Sequence, residues 1–348
     1  MGVEAVVQGL TKSFGRQNIW RDVSLTLPPG EISALLGPSG TGKSVFLKSM
    51  IGLLKPERGS CTIDGTDIVS CSEHQLYEVR KMFGVLFQDG ALFGSMNLFD
   101  NVAFPLREHT RKSESEIRRI VAEKMDMVGL DGAADKLPGE ISGGMRKRAG
   151  LARALVLEPQ IILCDEPDSG LDPVRTALLA QLLVDLNAQT DATILVVTHN
   201  INLARTLPDN LGMLFRRELV MFGPREVMLT SDEPVVEQFL NGRTIGPIGM
   251  SEEKDAATRA RELQQAEQFG ELPADDVRGI VAQLQPTAGL PPRAGEQRRR
   301  DRVLAMYPRL PVATQQAIAE AYPDQDFVAN HGQRPHGQSQ PEAGMSIR

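Results

Sequence analysis

Gly37-Pro38-Ser39-Gly40-Thr41-Gly42-Lys43-Ser44 is the stretch on which the reading of this chain turns. It has the form G-x-x-x-x-G-K-[S/T] and follows the apolar run Ile32–Leu36, which predicts a strand leading into a glycine-rich turn and a helix beginning near Gly42. Glycine lets successive backbone N–H groups turn inward without Cβ clashes. Such a turn forms an anion nest at a helix N-terminus, where the dipole favours negative charge. The backbone of Gly37, Pro38, Ser39, Gly40, Thr41 and Gly42 is therefore expected to cradle phosphates. Lys43 is expected to reach the β- and γ-phosphates and the Ser44 hydroxyl to ligate Mg²⁺. Alone, the octet implies only that a nucleoside triphosphate binds.

Two further apolar runs end in reactive groups. Ile161-Ile162-Leu163-Cys164 leads into Asp165-Glu166, and Thr193–Thr198 leads into His199. A parallel α/β sheet gathers ligands at the carboxyl ends of its strands, so these groups are predicted to meet the phosphate loop. Alternation along a strand sends Asp165 and Glu166 to opposite sides. Asp165 then suits the Mg²⁺ shell, and Glu166 suits polarising the attacking water. An isolated acidic pair more often caps a strand or helix; one that follows a phosphate loop reads as catalytic. His199 at a strand end is often a local hydrogen-bond partner, but beside a γ-phosphate it reads as a donor that senses that group.

Composition narrows the class. The chain has 348 residues, 41% hydrophobic and 24% charged, typical of globular proteins with room for one large domain or two ordinary ones. Its net charge of −7 argues against nucleic-acid binding. Cys61, Cys71 and Cys164 cannot all pair and match no zinc spacing, which suits a reduced cytosolic setting. No apolar run approaches the roughly 18–20 residues needed to cross a bilayer, and the N-terminus lacks a signal peptide's basic and apolar regions. Any membrane role is expected to come through partners.

Residues 1–249 alternate short apolar runs with amphipathic stretches, the pattern of an α/β domain. The strand signal fades between Asp89 and Pro159, and Glu114–Val128 reads as helix, predicting a helical subdomain over about 89–158. Residues 250–329 read as a C-terminal helical extension, with helices over Glu252–Phe269, Asp275–Leu284 and Gln297–Met306 between proline-rich breaks. Residues 330–348, rich in Gly, Gln, His and Pro, are expected to be disordered.

Assembled, these pieces resemble the ABC-transporter ATPase domain, and Ile141-Ser142-Gly143-Gly144-Met145 carries the resemblance as a variant of the family's LSGGQ signature. Gln88 matches the Q-loop, Ser169-Gly170-Leu171-Asp172 the D-loop and His199 the switch histidine. Phe14 stands where the family stacks an aromatic ring on adenine. The resemblance spans roughly residues 1–242, with every motif in order. It implies a P-loop (RecA-like) α/β core with a helical subdomain, ATP and Mg²⁺ as ligands, and a head-to-tail homodimer. Ser142, Gly143 and Gly144 of one copy would close over nucleotide held by the other, with Asp172 joining the nucleotide-binding set. Gln88 would join Ser44 and Asp165 at Mg²⁺ and Glu166 and His199 in catalysis.

A narrower resemblance lies in Phe87-Gln88-Asp89-Gly90-Ala91-Leu92-Phe93 and in Met145, which look like the MlaF-type lipid-transport ATPases. Arg146–Ala154 and the long tail are similar to the Mce-associated (Mkl or MceG type) branch. This implies transport of fatty acids, sterols or phospholipids with YrbE-type (MlaE-like) permeases and, indirectly, Mce substrate-binding proteins. The chain would then sit at the cytoplasmic face of the inner (plasma) membrane. Ile141 in place of the signature Leu is conservative; Met145 removes a glutamine amide that could help close a dimer.

Arg298-Arg299-Arg300, set among Glu296 and Asp301 without interleaved aromatics, reads as a solvated helix face rather than a nucleic-acid contact. Leu263, Phe269, Ile280, Val281, Leu284, Val303, Leu304 and Met306 imply amphipathic helices needing somewhere to bury one face. An MlaF-type extension grips the partner protomer, so the resemblance implies dimer stabilisation or regulator docking for this tail. Three alternatives stand beside the lipid-transport reading. An ABC ATPase serving a non-lipid transporter shares all these motifs. A non-transport ABC ATPase would carry tandem cassettes or a long coiled coil, whereas about a hundred residues separate Ser44 from Ser142. A scaffold with a dead site would not need Lys43, Asp165, Glu166 and His199 together.

Overall fold

A computed structural model describes residues 1–243, 246–249 and 279–323. In chain order its strands are β1 (Ala5–Phe14), β2 (Gln17–Leu27), β3 (Ile32–Leu36), β4 (Arg58–Ile63), β5 (Thr66–Asp67), β6 (Phe83–Leu86), β7 (Ile161–Asp165), β8 (Thr193–Val197), β9 (Asn210–Phe215) and β10 (Glu218–Pro224). Its α-helices are α1 (Lys43–Met50), α2 (Glu73–Arg80), α3 (Leu98–His109), α4 (Glu114–Met127), α5 (Gly143–Leu155) and α6 (Pro173–Thr190). They continue with α7 (Ile201–Thr206), α8 (Arg225–Leu229), α9 (Pro234–Asn241), α10 (Ala294–Met306) and α11 (Val312–Ala321).

β3, β7 and β8 are buried at every position, as continuous apolar runs require when both faces of a parallel sheet are covered. They are direct neighbours in a six-stranded sheet of order β10-β9-β3-β8-β7-β6. Leu35 and Asp165 both pair with Val197, so the ends of the three predicted strands lie level. A second, antiparallel sheet has the order β2-β1-β4-β5. Helix α1 is pinned into the core with this sheet: Trp20 and Phe46 are wholly buried, their rings 6.1 Å apart edge to face. Helices α3, α5 and α6 bury their apolar faces in the other main cluster.

Between β6 and β7 the chain is helical. Ser113 and Glu116 form a capping box that starts α4, and Asn97 caps α3. The α5 helix starts where Ser142 accepts from the Met145 N–H at 3.3 Å. All three cysteines are free. Among the described residues no helix is long and apolar enough to cross a membrane.

The C-terminal residues depart from expectation in two ways. The helix predicted over Asp275–Leu284 is absent across its described part, residues 279–284. There the backbone runs along the cassette instead: Leu284 N–H donates to the Thr206 carbonyl at 3.0 Å, and Arg225 Nη2 donates to the Val281 carbonyl at 2.8 Å. Nor is Arg298-Arg299-Arg300 a solvated face. Arg299 is wholly buried, pairing with Asp209 at 2.7 Å and Glu226 at 3.3 Å. Arg293 also pairs with Asp209, Arg298 pairs with Asp191 at 2.8 Å, and Arg302 pairs with Glu31 at 2.5 Å. The local acids Glu296 and Asp301 concealed distant ones. Helix α10 covers the predicted Gln297–Met306, and Val303 and Ile318 form a small core with Ile280, Leu304, Tyr307, Leu310 and Tyr322. The segments expected to form a helix over Glu252–Phe269 and a disordered tail over 330–348 lie outside the described residues.

Candidate active site

The phosphate loop leaves β3 at Gly37. Gly37 has φ 151°, and a Cβ there would sit 2.4 Å from the Leu214 carbonyl oxygen. Gly42, at φ 88°, caps α1, and a Cβ there would meet the Ile19 side chain at 2.3 Å. Both positions thus require glycine, which fixes the loop between the two sheets. Lys43 is almost fully buried, and its Nζ donates to the Gly37 and Pro38 carbonyls at 2.8 and 2.9 Å. Burial pushes the Lys43 pKa below its ordinary value, while Glu166 and Asp165 act against that fall.

Ser44 Oγ donates to Asp165 Oδ1 at 2.8 Å. Burial pushes the Asp165 carboxyl upward and the Glu166 charge adds to the rise; the Ser44 hydrogen bond pulls the other way. The strand ends at Asp165, and Glu166 turns into the left-handed region at φ 46°, its N–H donating to the Val197 carbonyl at 2.9 Å. This turn, more than pleat alternation, separates the two carboxylates: Asp165 faces Ser44, while Glu166 Oε1 lies 3.5 Å from His199 Nδ1. A non-glycine residue held at positive φ costs of order 1–3 kcal/mol and clusters at functional sites.

Lys43, Ser44, Asp165, Glu166 and His199 therefore form one group at the carboxyl edge of the sheet. Gln88 is exposed just beyond β6, whose Leu86 pairs with Cys164. Its loop is held against α5, because Arg153 donates to the Gly90 and Ala91 carbonyls, each at 2.8 Å. Beside the phosphate loop lies a cavity of about 290 Å³. Pro38, Ser39, Gly40 and Thr41 line it with Gln17, Asn18, Ile19, Phe215, Arg216, Arg217, Ile248 and Gly249. Phe14 is 47% exposed at the end of β1, three residues before this lining begins, with Lys12 Nζ 5.2 Å from its ring centre. Arg216 and Arg217 in this lining belong to no motif recognised in the sequence. These residues form the β9–β10 turn with φ values of 49° and 70°, and a basic pair directly after an apolar strand was the available signal.

Ser142 and Gly144 line a different cavity, of about 460 Å³, with Met145, Leu171 and Leu178. Ser142 and Gly143 are exposed, and Asp172 caps α6 by accepting from the Arg175 N–H at 2.9 Å. The cavity lined by the signature residues is thus distinct from the one beside the phosphate loop.

A strand, a phosphate loop built around buried Lys43, a Ser44–Asp165 pair and a Glu166–His199 pair define a nucleotide-hydrolysing cassette. The family model "ABC transporter" matches residues 20–169. Over 338 residues the chain is 67% identical to the "Probable ribonucleotide transport ATP-binding protein mkl" of Mycobacterium leprae (strain TN), covering 97% of this chain and 96% of that one. The chain belongs to the ABC transporter family, as an ATP-hydrolysing subunit whose turnover is coupled to transport. It is also 42% identical over 238 residues to the "Intermembrane phospholipid transport system ATP-binding protein MlaF" of Escherichia coli (strain K12), covering 68% of this chain and 88% of that one. Among solved structures it is similar to a dimeric ATP-binding cassette in a post-hydrolysis state bound to ADP and Pi. That match has a TM-score of 0.60 and 31% identity, over 64% of this chain and 98% of the other.

Proposed function

We propose that this chain works as a homodimer that energises lipid transport by an Mce/Mla-type envelope system, docked to YrbE-type (MlaE-like) permeases at the cytoplasmic face of the inner membrane. Mce substrate-binding proteins would take part indirectly. The observation that carries the reading is the division of the site: Lys43, Ser44, Asp165, Glu166 and His199 stand together, while the Ser142-capped N-terminus of α5 opens elsewhere. Two copies arranged head to tail would bring the second set over nucleotide bound by the first.

In this reading the backbone of residues 37–42 and Lys43 hold the ATP phosphates, and Phe14 stacks on adenine. Ser44, Asp165 and Gln88 offer the hard oxygen donors that suit Mg²⁺, which when bound neutralises charge on the phosphates. Glu166 takes the proton of the attacking water, Gln88 helps to place that water, and His199 donates to the γ-phosphate. Ser142, Gly143, Gly144 and Asp172 complete the pocket from the partner. Nucleotide binding favours the closed dimer and hydrolysis removes that preference.

The lipid substrate class is supported by the 42% identity to MlaF over 238 residues, together with the resemblance of the Gln88–Phe93 loop and the Met145 signature to MlaF-type ATPases. A ribonucleotide substrate is the second reading, and the printed name of the mycobacterial relative favours it. Purifying the full-length chain with its membrane complex tests both. Co-purifying YrbE-type subunits and enriched lipids are expected; a complex that carries no lipid and whose ATPase is stimulated by ribonucleotides other than ATP would overturn the lipid assignment.

A further inference from the structure

Lys147 sits on α5, five residues beyond the Ser142 cap, yet is only 6% exposed. Its Nζ donates to the Glu166 carbonyl oxygen at 3.1 Å, to Ser169 Oγ at 3.0 Å and to the Ser169 carbonyl oxygen. An ammonium has three donors, and all three are committed to the turn that follows β7. Burial pushes its pKa down, and Asp168, Asp89 and Glu166 act against that fall.

The residue held is the unusual one. Glu166 adopts φ 46°, and its carbonyl also accepts from the Ser169 N–H at 3.1 Å, so Lys147 closes this tight turn from outside. The same turn reaches His199. Asp168 Oδ1 accepts from Thr198 Oγ1 at 2.9 Å, and Thr198 Oγ1 accepts from the Asn200 N–H at 2.9 Å. One hydrogen-bonded path thus runs from α5 through the Glu166 turn to the residues flanking His199. Burying a lone cation is costly, and a site needing only packing would take an apolar side chain.

We propose that Lys147 is a positioning residue for ATP hydrolysis, tying the Ser142-capped helix to the Glu166 turn so that displacement of α5 resets the Glu166 carboxylate. Anything that engages the N-terminus of α5 thereby adjusts the base in the same chain. This inference rests on the reading of Glu166 as the base.

The test compares ATP turnover, ATP affinity and thermal midpoint in the full-length protein for wild type, Lys147→Met, Lys147→Arg and Glu166→Gln. Displacing a reacting group by about 1 Å can cost up to roughly a hundredfold, so kcat of Lys147→Met should fall by about ten- to a hundredfold. KM and ATP affinity should stay within about twofold. Lys147→Arg should recover much of the loss, because a guanidinium also supplies several cationic donors. If Lys147→Met does not fold, Lys147→Gln replaces it with the same expectations. A kcat near wild type, a parallel loss of affinity and thermal midpoint, or no recovery with arginine would each overturn the proposal. Glu166→Gln separates the two failures: turnover by that variant removes the base assignment itself, whereas a dead Glu166→Gln beside an active Lys147→Met removes Lys147 alone.

Discussion

Asp209→Asn is the perturbation whose size follows most directly from the geometry. Asp209 is wholly buried, and its carboxylate receives Arg293, Arg299 at 2.7 Å, Gln283 Nε2 at 3.0 Å and the Ile32 N–H at 2.8 Å. Asparagine keeps the shape but turns one acceptor into a donor aimed at donors, and removes the charge shared by two guanidinium groups. Removing one partner of a buried ion pair costs about 3–5 kcal/mol. Arg299 retains Glu226, but Arg225 lies close enough to oppose it electrostatically, so a loss of about 4 kcal/mol is expected. At roughly 1–2 °C per kcal/mol for 348 residues, from the usual unfolding entropy per residue, the thermal midpoint at pH 7 should fall by about 4–8 °C. Calorimetry reads the midpoint, and hydrogen exchange over residues 279–323 reports whether that segment loosens first.

The pH dependence carries a sign. Burial pushes Asp209 upward, but Arg293 and Arg299 help to outweigh it and hold the carboxyl below its ordinary 3.8. A depressed carboxylate contributes stability above the unfolded-state value and loses it as pH falls through the folded-state value. The gap between wild type and Asp209→Asn should therefore be full above pH 3.8 and narrow only in stronger acid. Adding Arg299→Met to Asp209→Asn should recover part of the loss, because a cation then leaves with its anion. A midpoint within about 2 °C of wild type, or strictly additive losses in the double variant, would refute the reasoning.

Glu166→Gln should bind ATP normally but lose at least about a hundredfold in turnover, measured by phosphate release against nucleotide binding. Ser142→Arg should leave ATP binding by the monomer intact and abolish nucleotide-dependent dimerisation in light scattering, because it places a bulky cation at the α5 cap. Phe14→Ala should raise the KM for ATP by about two- to tenfold with kcat unchanged, as befits a stacking interaction of about 0.5–1.5 kcal/mol. Deleting residues 279–348 should lower the thermal midpoint further than Asp209→Asn, since it strips Glu31, Asp209 and Glu226 of Arg302, Arg293 and Arg299 together.

Those parts of the site that depend on local spacing were legible in the chain. The octet at Gly37–Ser44 needs particular residue types in a particular order, and β3, β7 and β8 announce themselves as short apolar runs ending in polar residues. Features decided across long separations were not. Arg299 looks solvated beside Glu296 and Asp301, but its partner Asp209 lies 90 residues away. Lys147 is the middle of three consecutive cations, Arg146-Lys147-Arg148, and nothing local distinguishes it from its neighbours. In the fold each of the three satisfies backbone carbonyls: Arg146 that of Ile141, Arg148 those of Val128 and Gly129, and Lys147 those of Glu166 and Ser169. Ile280, Val281 and Leu284 carry a helical spacing, yet hydrogen bonds to Thr206 and Arg225 hold that backbone along the cassette instead of in a helix. The positive φ of Glu166 leaves no mark in composition at all.

Charge rather than apolar area explains why residues 279–323 and the cassette must order together. The small core of this segment fully buries only Val303 and Ile318, worth about 1.5–3 kcal/mol each. Ordering each residue costs about 1–2 kcal/mol of backbone entropy, so the segment cannot hold its shape alone. Its docking depends on Asp209, Glu226 and Glu31, all buried in the cassette. The dependence runs both ways, because without Arg293, Arg299 and Arg302 those acids lose the cations that neutralise them. Asp209 accepts from the Ile32 N–H, and Ile32 opens the strand that ends at the phosphate loop. Glu31 lies one residue earlier and takes Arg302. Loss of the segment should thus be felt first at the base of β3, and ATP affinity, set at the far end of that strand, becomes its most sensitive readout.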